Sequence, residues 1–158
     1  MKSTRLFLAT ILIAAAAQAA EPFNVTLPTG FGAFTKQTQT AGKIEVTNWI
    51  SKSPTGEAVV VTMSKFSGKI LDPAKLFAST RDGLVKSQNL TLDSEEKVAG
   101  TPASERLSYH SGSNAFLRSR LIAADDRLFQ VLYVGHTTEQ RDNPAVAAMI
   151  DSFAINAQ

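Results

Sequence analysis

Four stretches that read as strands, at 90–98, 103–110, 115–124 and 127–135, are separated by very little chain. Gly100-Thr101-Pro102, Gly112-Ser113-Asn114 and Asp125-Asp126 are the turn residues between them. A parallel crossover needs roughly a dozen residues or more, so connections this short join antiparallel neighbours. The second half of the chain is thereby held to an antiparallel meander.

The first half adds strands and one change of period. Residues 23–27 alternate and stop at Pro28, 31–40 form a weaker strand, and 43–51 follow the Ala41-Gly42 turn. Ser53-Pro54-Thr55-Gly56 is the clearest turn, and 57–67 follows it. Val59-Val60-Val61 is apolar on both faces of that strand, which predicts an interior position. Asp72-Pro73 then opens a helix, with Asp as N-cap and Pro at the first helical position. Leu76, Phe77, Thr80 and Leu84 share one face of it, and it should end near Ser87. Asn143-Pro144 repeats the start signal, and Val146, Met149, Ile150 and Phe153 give a second amphipathic helix. The expected class is α+β: a largely antiparallel sheet of about six to eight strands packed by two main helices.

Ahead of these elements stands a leader. Met1 to Arg5 is short and basic, residues 6–17 are apolar except for Thr10, and Ala17-Gln18-Ala19 supplies small residues before a cut. That is the layout of a secretory signal peptide, cleaved after Ala19 or Ala20. A spanning helix needs roughly 20 apolar residues, more than this run provides. The expected organisation is a signal peptide at 1–19 and a single domain at 20–158, periplasmic or secreted from a bacterium. Of the 16 basic residues, Lys2 and Arg5 leave with the leader, so the mature domain carries 14 against 14 acidic residues. A neutral domain has no global field to attract nucleic acid. The chain has no cysteine, which excludes disulfides, thiol catalysis, thiolate metal sites and lipid modification at the cut.

Three stretches carry a resemblance. Phe23-Asn24-Val25-Thr26-Leu27-Pro28-Thr29-Gly30-Phe31 opens the domain, and Arg106, Arg118-Ser119-Arg120-Leu121 and Arg127-Leu128-Phe129-Gln130-Val131 lie in the central hairpins. Met149-Ile150-Asp151-Ser152-Phe153 closes it. Together they resemble the PsbP-like group, which includes the Ran-binding Mog proteins and the DcrB-like proteins. The resemblance covers nearly all of the mature chain and rests on structural motifs. It implies an α/β/α sandwich around an antiparallel sheet and a binding, assembly or chaperone role. It implies no activity, and no site residue is carried over from it.

Chemistry-bearing patterns are sparse. There is no Gly-x-Ser-x-Gly elbow, Gly-rich phosphate loop, His-Glu-x-x-His pair or calcium loop. Glu95-Glu96 are neighbours on a strand and point to opposite faces. Asp125-Asp126 is read as a turn rather than a calcium ligand pair. His110 and His136 end two strands, and two histidines alone do not make a zinc site. Asn24-Val25-Thr26 and Asn89-Leu90-Thr91 fit the glycosylation pattern by chance. No metal, cofactor or catalytic set is expected.

The sheet faces say more. In residues 43–51, Ile44, Val46 and Ile50 oppose Glu45, Thr47 and Trp49, so the single Trp lies on the more polar face. If Asp125-Asp126 is a two-residue turn, Ala124 pairs with Arg127, Arg118 with Tyr133, Arg120 with Val131 and Ile122 with Phe129. One face then combines Phe116, Arg118, Arg120, Phe129 and Tyr133, extended by Arg106 and His110 on the next strand. Aromatics mixed with arginine are enriched at interfaces. The other reading of this face is that the second helix covers it, with the arginines running along its edge. The partner-binding candidates are Trp49, Arg106, His110, Phe116, Arg118, Arg120, Phe129 and Tyr133. The expected function is a non-enzymatic exported binding or assembly domain acting on a protein partner, without nucleic acid or a membrane anchor. The alternative is a small-molecule or lipid carrier, with Leu76, Phe77 and Leu84 lining a cavity, and a small hydrolase comes behind both.

Overall fold

The computed structural model describes residues 21–112 and 114–156; the leader read as a signal peptide lies outside them. Seven strands form one sheet: β2 (Thr35–Ala41), β3 (Ile44–Lys52), β4 (Ala58–Lys65), β5 (Thr91–Val98), β6 (Ala103–Ser111), β7 (Ala115–Ala124) and β8 (Arg127–Gly135). Their order is β2-β3-β4-β8-β7-β6-β5, and every neighbouring pair is antiparallel. The sheet is two meanders joined at β4–β8, and β4 is interior, as its apolar faces require. The α+β class and the antiparallel sheet are as expected.

Helix α1 (Pro73–Gln88) carries the chain from β4 in mid-sheet to β5 at the far edge. Asp72 caps it by accepting from the Lys75 N–H at 3.0 Å, with Pro73 in the first turn. It stops at Asn89, whose left-handed backbone (φ 51°) turns the N–H onto the Val85 carbonyl. A short helix not foreseen in the sequence, α2 (Thr138–Arg141), is set by a capping box between Thr137 and Gln140. Helix α3 (Pro144–Ser152) has the expected Asn143 cap and Pro start.

The first strand is shorter than its alternation suggests. β1 (Phe23–Asn24) pairs with β9 (Ala154–Ile155) in a separate two-stranded ribbon that ties the two ends of the domain together. After it, Val25, Leu27, Phe31 and Phe34 pack as an arm against the sheet, and regular pairing resumes at Thr35. Burying those side chains outweighs the pairing that a longer strand would gain.

Each sheet face has its own core. On the first, Trp49, Val59, Val61, Ile122, Phe129, Val131 and Tyr133 lie beneath Phe23, Phe153 and the α3 residues Val146, Met149 and Ile150. On the second, α1 lays Phe77 over Leu107, Tyr109, Leu117, Leu121 and Leu128. Among the described residues α1 is the one helix on that face, and it is narrower than the sheet. On β3 and β4 beyond it, Ile44, Val46, Ile50 and Val60 stay half-buried.

Candidate ligand-binding groove

The pairing inferred from Asp125-Asp126 is the pairing observed: Arg118 faces Tyr133, Arg120 faces Val131, Ile122 faces Phe129 and Ala124 faces Arg127. Asp125 takes a left-handed φ of 52°, and the two carbonyls of the turn accept from Ile70 and Phe66 at 2.7 and 2.8 Å. These acids build a turn.

The surface drawn on that register is mostly closed. Trp49, Phe129 and Tyr133 are each 0–1 % exposed and belong to the core, not to an accessible binding face. The physical reason is the arm and α3. Phe23 meets the Trp49 ring edge-on at 5.0 Å, Phe153 lies 5.7 Å from the Phe129 ring, and Phe31 lies 6.5 Å from Tyr133. The polar groups of these rings are satisfied locally. The Trp49 indole N–H donates to Glu21 at 2.6 Å, and the Tyr133 hydroxyl donates to Glu57. The Glu57 carboxyl is held below the usual range by Thr55 first and then by Tyr133.

The other five candidates are half-buried along the edge of the helices. Arg106 binds Asp151 of α3 at 2.8 Å and Glu96 at 3.3 Å. His110 Nδ1 sits 2.7 Å from Asp93, and its ring stacks on Phe116 at 6.3 Å. The Arg141 guanidinium lies 5.8 Å from the Phe116 ring. Asp142 is held low, chiefly by Arg141 and further by Arg118. Arg120 donates to Ser104 at 3.3 Å, and burial lowers its pKa. This is the covered arrangement, in which arginine stems run along a helix and the heads meet its acids. His110 and His136 lie at the same end of the sheet, two strands apart. Among the described residues no group of three metal-ligating side chains forms.

A different site opens on the α1 face. Between α1 and the β5–β6 edge runs a groove of about 550 Å³. Pro73, Ala74, Phe77 and Ala78 form its helix wall, and Val98, Ala99, Gly100 and Ala103 its far wall. Arg81, Glu95, Lys97 and Glu105 converge on its polar end. The volume lies within the roughly 300–1,000 Å³ of small-ligand sites, and so does the mix of apolar walls with a few convergent polar groups.

Two strand features bring the acids together. β6 alternates Ala103, Glu105, Leu107 and Tyr109 toward α1, so Glu105 takes a core position and is only 3 % exposed. β5 carries a bulge: Leu92 faces Tyr109, but Ser94 faces Ser108, and Asp93 is passed over. The extra residue changes the phase, so Glu95 and Lys97 join Leu92 on the α1 face. Glu96 takes the opposite face with Arg106, so the adjacent pair diverges as its alternation requires. Arg81 Nη1 donates to Glu95 Oε2 at 2.6 Å, and its Nε donates to Asp82 at 3.1 Å.

Glu105 is the unusual group. Burial raises its pKa to about 6, and the neighbouring Glu95 carboxyl adds to the rise. Its enclosed Oε2 has no hydrogen-bond partner. The Tyr109 hydroxyl beneath it is likewise fully enclosed without a partner, and burial pushes its pKa up. One signal for Glu105 was in the sequence: an acid in phase with Leu107 and Tyr109. The Glu95–Glu105 meeting was not, because it depends on the bulge.

No family model, no curated protein and no solved structure matches this chain.

Proposed function

We propose that this chain is an exported binding domain without chemistry of its own, and that its ligand site is the groove between α1 and the β5–β6 edge. The observation that carries the reading is a cavity of small-ligand size whose polar end holds a buried, incompletely satisfied carboxyl. An unpaired buried polar group costs about 1–3 kcal/mol, a cost that a ligand donor offsets on binding. The carrier reading thus gains over the protein-partner reading, whose aromatic anchors lie in the core. Native mass spectrometry of protein recovered from the exporting cell tests it. A bound small molecule is expected on the wild type and absent from Ala78→Phe, which fills the groove. A folded wild type with no adduct, and no response of groove residues to apolar fragments, overturns it.

The protein-partner reading keeps one support, the half-buried Arg106 and Arg118 beside a cleft of about 140 Å³ that Asp142 also lines. If that cleft docks a partner, Arg118→Glu removes the partner from a pull-down and leaves the groove adduct in place. Export is proposed from the leader, and the mass of the mature chain tests it: it should begin at Ala20 or Glu21. The PsbP-like sandwich is proposed as the finer fold, supported by α1 on one sheet face and α3 on the other.

A further inference from the structure

We infer that the free edge of β2 pairs with the same edge of a second copy of this chain, joining two sheets into one antiparallel sheet. β2 is one end strand of the seven-stranded sheet, and every residue of Thr35–Ala41 is exposed. The other end strand, β5, is blunted as edge strands usually are. It has the bulge at Asp93 and carries Asp93, Glu95, Glu96 and Lys97. β2 pairs with β3 without a bulge and contains no proline. Its one charge, Lys36, is drawn over the sheet, with the ammonium 5.2 Å from the centre of the Trp49 ring. Such an edge is a template for a further strand. The hairpin fixes which backbone groups it offers. Gly42-Lys43 is a two-residue turn with Gly42 at φ 63°, so the flanking Ala41 and Ile44 form a hydrogen-bonded pair. The ladder alternates from there. Gln39, Gln37 and Thr35 bond to β3, and the N–H and C=O of Thr40, Thr38 and Lys36 point outward.

The side chains make this edge complementary to itself. Antiparallel pairing about a two-fold axis at Thr38 uses the whole strand. Thr38 then faces Thr38 of the second copy, Lys36 faces Thr40, Gln37 faces Gln39 and Thr35 faces Ala41, so no like charges are opposed. The residues with outward backbone groups meet one another. On the first face, Thr40 stands beside Glu45 in its own chain. Lys36 of one copy is therefore two strand spacings from Glu45 of the other, about 10 Å between Cα atoms, which two long side chains span. The symmetry repeats this pair on the other side of the axis. Glu45 is exposed and, among the described residues, makes no ion pair, although Lys65 stands opposite it on β4. Lys36 reaches only Glu21, at 3.8 Å. On the second face, the Thr35–Ala41 contact places the half-buried Ile50 of one copy and Ile44 of the other in one row. One strand edge is a small interface, so the dimer is reversible and forms with rising concentration.

The test is sedimentation velocity on the exported protein from micromolar to millimolar concentration, with amide exchange followed by NMR at both ends of that range. A monomer at the low end and a dimer at the high end are expected. In the dimer the amides of Lys36, Thr38 and Thr40 should exchange at least about tenfold more slowly, while those of Gln37 and Gln39 are already slow in the monomer. Thr38→Pro removes an outward N–H and leaves the bonds to β3, so it should be folded and monomeric at every concentration. Lys36→Glu sets a carboxylate against Glu45 of the second copy and should weaken association about tenfold, and adding Glu45→Lys should restore it. A protein that stays monomeric throughout the range overturns the inference. So does a dimer that Thr38→Pro leaves intact, one whose new amide protection lies outside β2, or one that Glu45→Lys fails to restore.

Discussion

The two faces of the sheet are closed in different ways. The first is covered from two distant parts of the chain: the arm after β1, and the consecutive helices α2 and α3. They bury Trp49, Phe129 and Tyr133 essentially completely and leave their polar groups paired. The second is covered, among the described residues, by one helix. Phe77 is buried, but beside it remain a groove and an acid whose neutralisation depends on a proton. Complete cover makes a face a source of stability. Partial cover leaves room for a ligand and keeps a titrating group where it matters.

Four substitutions test that contrast. Trp49→Ala, on the closed face, should cost the most, about 3–5 kcal/mol, because the arm and α3 cannot both collapse into the void. Urea denaturation monitored by circular dichroism measures it. Phe77→Ala should cost less, about 2 kcal/mol, since water reaches the groove and fills the space. Equal losses at the two positions would erase the distinction between the faces.

Glu105→Gln should stabilise the protein, and only at higher pH. The native pKa of Glu105 is raised to about 6. The folded state therefore holds the proton more tightly than the unfolded state, and stability falls as pH rises from the ordinary carboxyl range through 6. The variant lacks that loss and should be more stable than wild type by about 2 kcal/mol at neutral pH, converging with it below about pH 4. Melting curves across pH check this. Tyr133→Phe has the smallest expected effect, about 1 kcal/mol, from the lost bond to Glu57. Its sign with pH is opposite. Glu57 is held low in the folded state, so its contribution is present above the ordinary carboxyl range and lost as pH falls. The gap between Tyr133→Phe and wild type should close on acidification.

Local signals were legible in the sequence, and contacts between distant segments were not. Asp125-Asp126 is a tight turn, so the whole β7–β8 register followed from counting outward. Asp72-Pro73 and Asn143-Pro144 mark helix starts because cap chemistry is local. The face of Trp49 was misleading. Thr47 and Ser51 make it look solvated, yet both are buried: Thr38 bonds Thr47 at 3.0 Å, and Ser51 donates to the Gly32 carbonyl at 2.6 Å. The cover comes from residues far along the chain, which period-two reading does not see. The acid pair was hidden for a related reason. One bulge residue at Asp93 exchanges the faces of everything after it on β5, and no turn or cap announces a bulge.

The β1–β9 ribbon has a consequence in time. Phe23 stacks on Phe153 at 5.4 Å, and the Pro22 carbonyl accepts from the Asn156 N–H at 2.9 Å. A chain that emerges with its amino end first holds Phe23 almost from the beginning and Phe153 only at the close. The meanders and α1 can assemble in the interval, but the aromatic lock over Trp49 waits for the last residues to arrive. The domain is finished by its two ends meeting, so a truncated product lacks its latch however much of the sheet it contains.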